Sequence, residues 1–504
     1  MSVRPDAGRA FDSRRAILWL ALGLTLIRLV AGASIHLTED EAYYRLWAQH
    51  LQLGYFDHPP MVAWWIRLGS LICGDTPLGV RLVPALAAGL NTWLIGDLAR
   101  TLGASPRTAF RAALWYNATI TVCLGAMLAI PDAPASLFWT ITLCCLARTR
   151  PELGEPRTGW WLAAGLAAGL AVMSKYSALF LAPGVLLWLA ATPGGLKSLR
   201  RPGPWLAAVV AVAVFSPNVI WNAQNHWESF SKQFGRVAPE GFSPAHVAEF
   251  LAAQFLLLTP AIAILAGMGV ARGWKGGPVN LRLPIAASAP FAAYLLLHSL
   301  HDRVQGHWPV PLFGALAICA AVAADGLGER RWADWVRRLT PVPGFATLAA
   351  VLAILALPAP GTIARYDPML QLRGWPGFAR AIEAERIRAG AAWVGTQSYG
   401  VYSQLEFEGG IHAPLLQVTD RDRYWKAGAT VPDFTRPGLI VDLSRRLKVE
   451  DVHRCFTGVT PVAEINRAGS PRKNEHYSAY LVSGPKRDVW LVGCPVQIHP
   501  GVWR

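Results

Sequence analysis

The sequence predicts a mainly α, polytopic membrane protein with about eleven transmembrane helices, outer-face interfacial helices and a small C-terminal α/β domain. Three observations carry this reading. Of 504 residues, 53% are hydrophobic and only 16% charged, with a mean hydropathy of +0.30; a soluble domain carries about 25% charged residues. The apolar residues form blocks near the length that crosses about 30 Å of hydrocarbon. Lys and Arg concentrate in alternate short loops between those blocks, which is the orientation signature of a membrane protein. The net charge of +15 would suggest nucleic acid on a soluble chain. Its placement here points to the bilayer and to no nucleic-acid partner.

The elements follow in order. Residues 1–15 hold Arg4, Arg9, Arg14 and Arg15 ahead of the apolar run 16–36. That run is long for a cleaved leader and lacks a small-residue cleavage pattern, so it reads as a retained first span. Further spans are expected at 77–99, 108–127, 133–147, 159–173, 177–193, 204–221, 248–268, 283–300, 307–324 and 343–360. The basic loops contain Arg100, Arg107 and Arg111; Arg148, Arg150 and Arg157; Lys197, Arg200 and Arg201; Arg272, Lys275 and Arg282; and Arg330, Arg331, Arg337 and Arg338. All fall on the side of the basic N-terminus, which is read as cytoplasmic. An odd count then puts the C-terminal part outside, which the family resemblance described below identifies with the periplasmic side of a bacterial inner membrane. The segment 61–73, with Trp64 and Trp65, is too short to span and is expected to lie on the outer surface.

The chain thus divides into a transmembrane part, 1–361, with a first outer loop at 37–76, and a periplasmic α/β domain, 362–504. In the latter, runs at 392–397, 439–443, 477–482 and 488–492 read as strands and 377–388 as a helix. Of seven cysteines, Cys123, Cys144, Cys145 and Cys319 lie in apolar blocks and read as small hydrophobes. Cys455 and Cys494 lie in the tail, where an oxidising compartment would permit a disulfide.

The outer side collects the polar chemistry. Thr38-Glu39-Asp40-Glu41-Ala42-Tyr43-Tyr44 places three consecutive carboxylates at the end of a membrane helix, where such groups need water, a cation or a reaction. The same loop carries Tyr55-Phe56-Asp57-His58-Pro59-Pro60, whose prolines fix the backbone ahead of Trp64. Asp132 stands in Ile130-Pro131-Asp132-Ala133-Pro134, Lys175 in Ser174-Lys175-Tyr176, and Arg303 precedes His307-Trp308-Pro309. Thr396-Gln397-Ser398-Tyr399-Gly400 is a further motif in the tail.

This order of motifs resembles the C-type glycosyltransferase superfamily, in its protein-mannosyltransferase-like branch that includes the lipid A aminoarabinose and galacturonic acid transferases. The resemblance runs over essentially the whole chain. It implies transfer of one sugar, with inversion, from a polyprenyl-phosphate-linked donor to an envelope lipid, glycan or protein acceptor. Asp40 would be the general base, Glu41 a further catalytic residue, and Asp132 a catalytic residue that orients the acceptor or a cation. His58, Lys175 and Arg303 would hold the leaving phosphate. Tyr43, Tyr44, Asp57, Tyr176 and His307 would contact substrate. Asp40, Asp132 and His58 would also suit a divalent metal ion, though no ligand spacing requires one. The chain departs from many relatives at His307, where they have Asn, and at Gln305, where they have Glu.

Simpler readings stand beside these. Lys175 snorkels to the interface, Arg303 pairs Asp302, and His58 sits in a capped turn. A transporter or flippase of lipid-linked saccharides is the competing function. Transporters set their ionisable residues near the midplane, whereas the acids here gather toward the outer ends of the spans.

Overall fold

The computed structural model describes residues 11–150, 157–235, 241–357, 371–423, 431–467, 475–490 and 493–494. Within them the chain is mainly helical. The helices are α1 (Ser13–Ser34), α2 (Glu39–Gln49), α3 (Met61–Cys73), α4 (Pro77–Thr101), α5 (Pro106–Ala118), α6 (Ile120–Gly125), α7 (Asp132–Thr149) and α8 (Thr158–Val172). They continue as α9 (Leu181–Ala191), α10 (Pro202–Gln224), α11 (Glu228–Gly235), α12 (Pro244–Leu257), α13 (Pro260–Lys275) and α14 (Arg282–His298). The series ends with α15 (Phe313–Asp325), α16 (Arg331–Leu339), α17 (Val342–Ala356), α18 (Trp375–Arg388), α19 (Tyr399–Glu408) and α20 (Val449–Cys455). Local chemistry sets the starts. Thr76 and Ser105 cap α4 and α5 with their hydroxyls, each followed by proline in the first turn, where the missing N–H costs nothing.

Among the described residues, four helices are long and apolar enough to cross a bilayer: α1, α4, α10 and the run Arg331–Ala356. A fifth arises if α12 and α13 count as one span. The sequence predicts an unbroken helix at 248–268; the structure instead bends by 104° between α12 and α13. Pro260 lacks an N–H and drives its predecessor out of the α region, and Thr259 sits at φ 70°. Likewise 108–127 is interrupted at Thr119, between α5 and α6.

Two compact units result, and neither is continuous in sequence. The first joins Met1–Ala33 with Gln52–Val351; the second joins Ser34–Leu51 with Leu352–Arg504. The first is a helical body around Trp115, Trp139, Phe291 and Phe313, all fully buried. Small residues let its helices approach: a Cβ on Gly269 would meet the backbone of Cys319, and one on Gly184 the backbone of Ala287. Close backbone approach through small residues is the usual glue of helices in lipid.

The second unit is built on a five-stranded sheet of order β2-β1-β3-β5-β4, with β1 (Trp393–Thr396), β2 (Leu415–Gln417), β3 (Gly438–Leu443), β4 (Phe456–Asn466) and β5 (His476–Pro485). β1 runs parallel to β2 and β3, while β5 is antiparallel to β3 and β4. Three of the expected strands and the expected helix are present. At 488–492, by contrast, Asp488–Trp490 forms no strand, and residues 491–492 lie outside the described ones. There the Trp490 carbonyl accepts from Arg421 Nε at 2.9 Å, and the guanidinium stacks on the indole, 4.5 Å from its centroid. Cys455 and Cys494 form a disulfide.

Candidate functional site

In the second unit, α2 begins at a capping box. Thr38 Oγ1 accepts from the Glu41 N–H at 3.2 Å, and the Glu41 carboxylate accepts from Thr38 N–H and Oγ1 at 3.0 and 3.1 Å. Glu41 is fully buried, so the box gives that acid a structural task. Asp40, next to it, is exposed. Its Oδ1 accepts a hydrogen bond from the Tyr399 hydroxyl at 2.7 Å.

The Tyr399 phenol is pushed well above its ordinary value, first by burial and then by the Asp40 charge, so it stays a proton donor to Asp40. The Arg423 guanidinium lies 5.0 Å from the Tyr399 ring centroid and 5.6 Å from that of Tyr43. Tyr43 and Tyr44 are buried and pack on Trp47, at 4.9 and 4.8 Å between centroids.

The motif around Tyr399 is fixed at several points. Gln397 and Ser398 donate their N–H groups to one oxygen of buried Asp442, each at 2.7 Å. A Cβ on Gly400 would fall 2.3 Å from Glu39 Oε2, so only glycine lets α19 approach that carboxylate. Gln404 Nε2 donates to the Leu37 carbonyl at 2.8 Å. Burial raises the Glu39 and Asp442 carboxyls above their ordinary values.

In the first unit, Asp132 opens α7 and is buried. Its carboxylate suits the positive end of the helix dipole. Lys175 Nζ reaches Asp132 Oδ1 at 2.7 Å, and His307 Nε2 lies 3.8 Å from Oδ2. His58 is within electrostatic reach of the same carboxylate.

The chain holds these groups together. The Met61 N–H donates to the Met173 carbonyl at 3.2 Å, tying the end of the Phe56–Pro60 turn to the segment that carries Lys175. The Tyr55 N–H closes that turn on the His58 carbonyl at 3.1 Å. Tyr176 is buried, and its hydroxyl bonds Asn218 at 3.0 Å and Ser229 at 2.8 Å; it anchors the backbone next to Lys175. Asp57 is buried, and its carbonyl accepts from Gln233 Nε2 at 2.6 Å.

Arg303 is engaged elsewhere. It pairs with Glu249 through two contacts, Nε to Oε2 at 2.9 Å and Nη2 to Oε1 at 3.1 Å. Asp302 receives only its backbone N–H. Among the described residues no group of three or more His, Cys, Asp or Glu could hold a metal ion. The Asp132 carboxylate faces Lys175 and His307, a setting for charge pairing rather than metal coordination.

The far end of α7 is as informative. Arg148, in its last turn, pairs with Asp97. Arg111 and Thr108 reach Asp325, the Asn280 N–H donates to the Leu102 carbonyl at 2.9 Å, and Arg272 lies against Gly326. Four of the five basic loops are therefore tied together. They lie one helix length, about 27 Å for 18 residues, from the Asp132 cluster.

Tyr399, Glu39, Arg423 and Glu249 were not assigned by sequence. Tyr399 lies in the Thr396–Gly400 motif, which is its signal in the sequence. The others are joined to their partners by contacts between segments far apart in the chain.

Residues 57–221 match the family of dolichyl-phosphate-mannose-protein mannosyltransferases. The lipid A galacturonosyltransferase RgtD of Rhizobium johnstonii is 27% identical over 354 residues, covering 68% of this chain and 72% of that one. The undecaprenyl phosphate-α-4-amino-4-deoxy-L-arabinose arabinosyl transferase of Pseudomonas savastanoi is 31% identical over 170 residues, 33% of this chain and 31% of the relative. Among solved structures, ArnT from Cupriavidus metallidurans, bound to undecaprenyl phosphate, superposes with a TM-score of 0.64 at 16% identity. The match covers 92% of this chain and 97% of ArnT and shows a common fold.

Proposed function

We propose that the chain acts as a C-type glycosyltransferase, the superfamily to which its similarities point, and that it moves a single sugar from a polyprenyl-phosphate carrier to an envelope acceptor. Lipid A is the acceptor class that the galacturonosyltransferase relative favours. Asp40 is the general base. It takes the proton of the acceptor hydroxyl as that oxygen bonds to the anomeric carbon; the carbon–phosphate-oxygen bond breaks, and its electron pair leaves on the carrier phosphate. One displacement inverts the centre and needs no covalent intermediate.

The leaving group needs positive charge more than a proton. Lys175 is the residue assigned to it, held by Asp132, with His307 and His58 flanking. A carboxylate behind a half-buried lysine fixes the direction of its ammonium.

The membrane reading extends the proposal. It takes about eleven spans, a cytoplasmic N-terminus and a periplasmic 362–504; the joined basic loops at one end of the first unit, opposite Asp132, support a single basic side for that unit. The Cys455–Cys494 disulfide favours an oxidising compartment for the tail.

The observation that carries the mechanism is the exposed Asp40 carboxylate held by Tyr399, beside an acid already used in capping. The test is Asp40→Asn, purified and checked for native folding, then assayed with an undecaprenyl-phosphate-linked sugar. Transfer should fall by about 10²- to 10⁴-fold, the usual contribution of a general base. Transfer at the wild-type rate removes Asp40 from the role. Mass spectrometry of lipid A from a deletion strain reads the acceptor: one sugar mass should vanish.

A further inference from the structure

Helix α16 does not take part in the chemistry above, yet its composition is unusual. Its nine residues are Arg-Trp-Ala-Asp-Trp-Val-Arg-Arg-Leu, preceded by Arg330. At about 100° per residue, Trp332, Trp335 and Leu339 share one face. They are 49%, 60% and 53% exposed, whereas Ala333, on another face, is buried.

The arginines divide in the same way. Arg337 turns inward, donating to the Ala324 and Gly328 carbonyls at 3.1 and 2.6 Å and to Asp334 at 2.7 Å. Arg330, Arg331 and Arg338 are exposed, and the last two border the Trp face. Four arginines within residues 330–338 meet only Glu329 and Asp334 as nearby acids on this segment, and Asp334 is already paired. The helix runs on through Thr340–Pro341 into apolar α17, together forming one candidate span.

We propose that α16 is a binding site for anionic phospholipid headgroups. Indole rings favour the boundary between hydrocarbon and headgroups, so Trp332, Trp335 and Leu339 enter the edge of the apolar layer. Arg330, Arg331 and Arg338 then stand at phosphate height, where a guanidinium forks onto two oxygens. Basic clusters beside a membrane helix select anionic over zwitterionic lipid. The site is independent of the sugar-transfer reading.

The full chain is reconstituted in nanodiscs of mixed phosphatidylglycerol and phosphatidylcholine, released, and weighed by native mass spectrometry. Retained phosphatidylglycerol should exceed phosphatidylcholine several-fold. The triple variant Arg330→Gln, Arg331→Gln, Arg338→Gln should lose that preference and retain the two lipids about equally. The corresponding triple Lys variant should keep most of it, which separates lost charge from lost folding. Equal retention of the two lipids by the wild type, or an undiminished preference in the Gln variant that folds normally, overturns the site. So does competition by inorganic phosphate that strips the lipid at equal anion concentration.

Discussion

Asp40 and Glu41 are adjacent carboxylates with opposite fates, and helix geometry separates them. The third position of α2 turns back to its own cap and buries Glu41; the second leaves Asp40 exposed to receive Tyr399. Tyr399→Phe should therefore lower kcat by about tenfold, the size of one hydrogen bond to a charged group. In an Asp40→Asn background it should add almost nothing, because the tyrosine acts through the acid. A full additional loss in the double variant would assign Tyr399 a separate task.

Lys175, proposed to hold the leaving phosphate, belongs to a different part of the proposed reaction. Lys175→Gln should lower kcat and kcat/KM by about tenfold or more, and Lys175→Arg should be less impaired, as measured by steady-state kinetics with varied donor. The sequence made Asp132 and Lys175 visible as separate motifs 43 residues apart. Their pairing was not legible, nor was that of Arg303 with Glu249, because nothing in the intervening chain fixes which long side chain meets which.

At the level of elements, hydropathy located the helices well and proline explained the break ahead of α13. It could not show that Thr259-Pro260 would produce two helices rather than a kink. In the tail, β-branched runs revealed β1, β3 and β5. Strand β4 escaped because Gly458 and Pro461 interrupt its pattern. It lies at the sheet edge with a register shift between Pro461 and Ala463, where proline is tolerated. The contact of α2 with α19 rests on Gly400. Gly400→Ala should destabilise the second unit by about 1–3 kcal/mol, as overpacking does, read from thermal unfolding of the purified chain. An unchanged melting temperature would mean that Glu39 moves aside at no cost.

Across the whole molecule, the second unit should lose stability as pH rises above the ordinary carboxylate range. Glu39 and Asp442 have ordinary values of 4.5 and 3.8, and burial raises both in the folded state. A raised carboxyl favours folding while it is protonated. The favourable contribution is complete below the unfolded value and is lost as pH climbs through the folded one. Thermal unfolding followed from pH 4.5 upward should show this decline, and Glu39→Gln should flatten it. An identical slope in that variant would assign the dependence to other groups.

The second unit takes its first piece, Ser34–Leu51, from near the start of the chain and the rest from its end. A ribosome releases Asp40 some 359 residues before Tyr399. During synthesis the acid therefore emerges long before its hydroxyl partner exists, and α2 waits without the sheet it belongs to. A nascent or truncated chain has the proposed base but not its support. Competence to act is thus delayed until translation has reached the final domain.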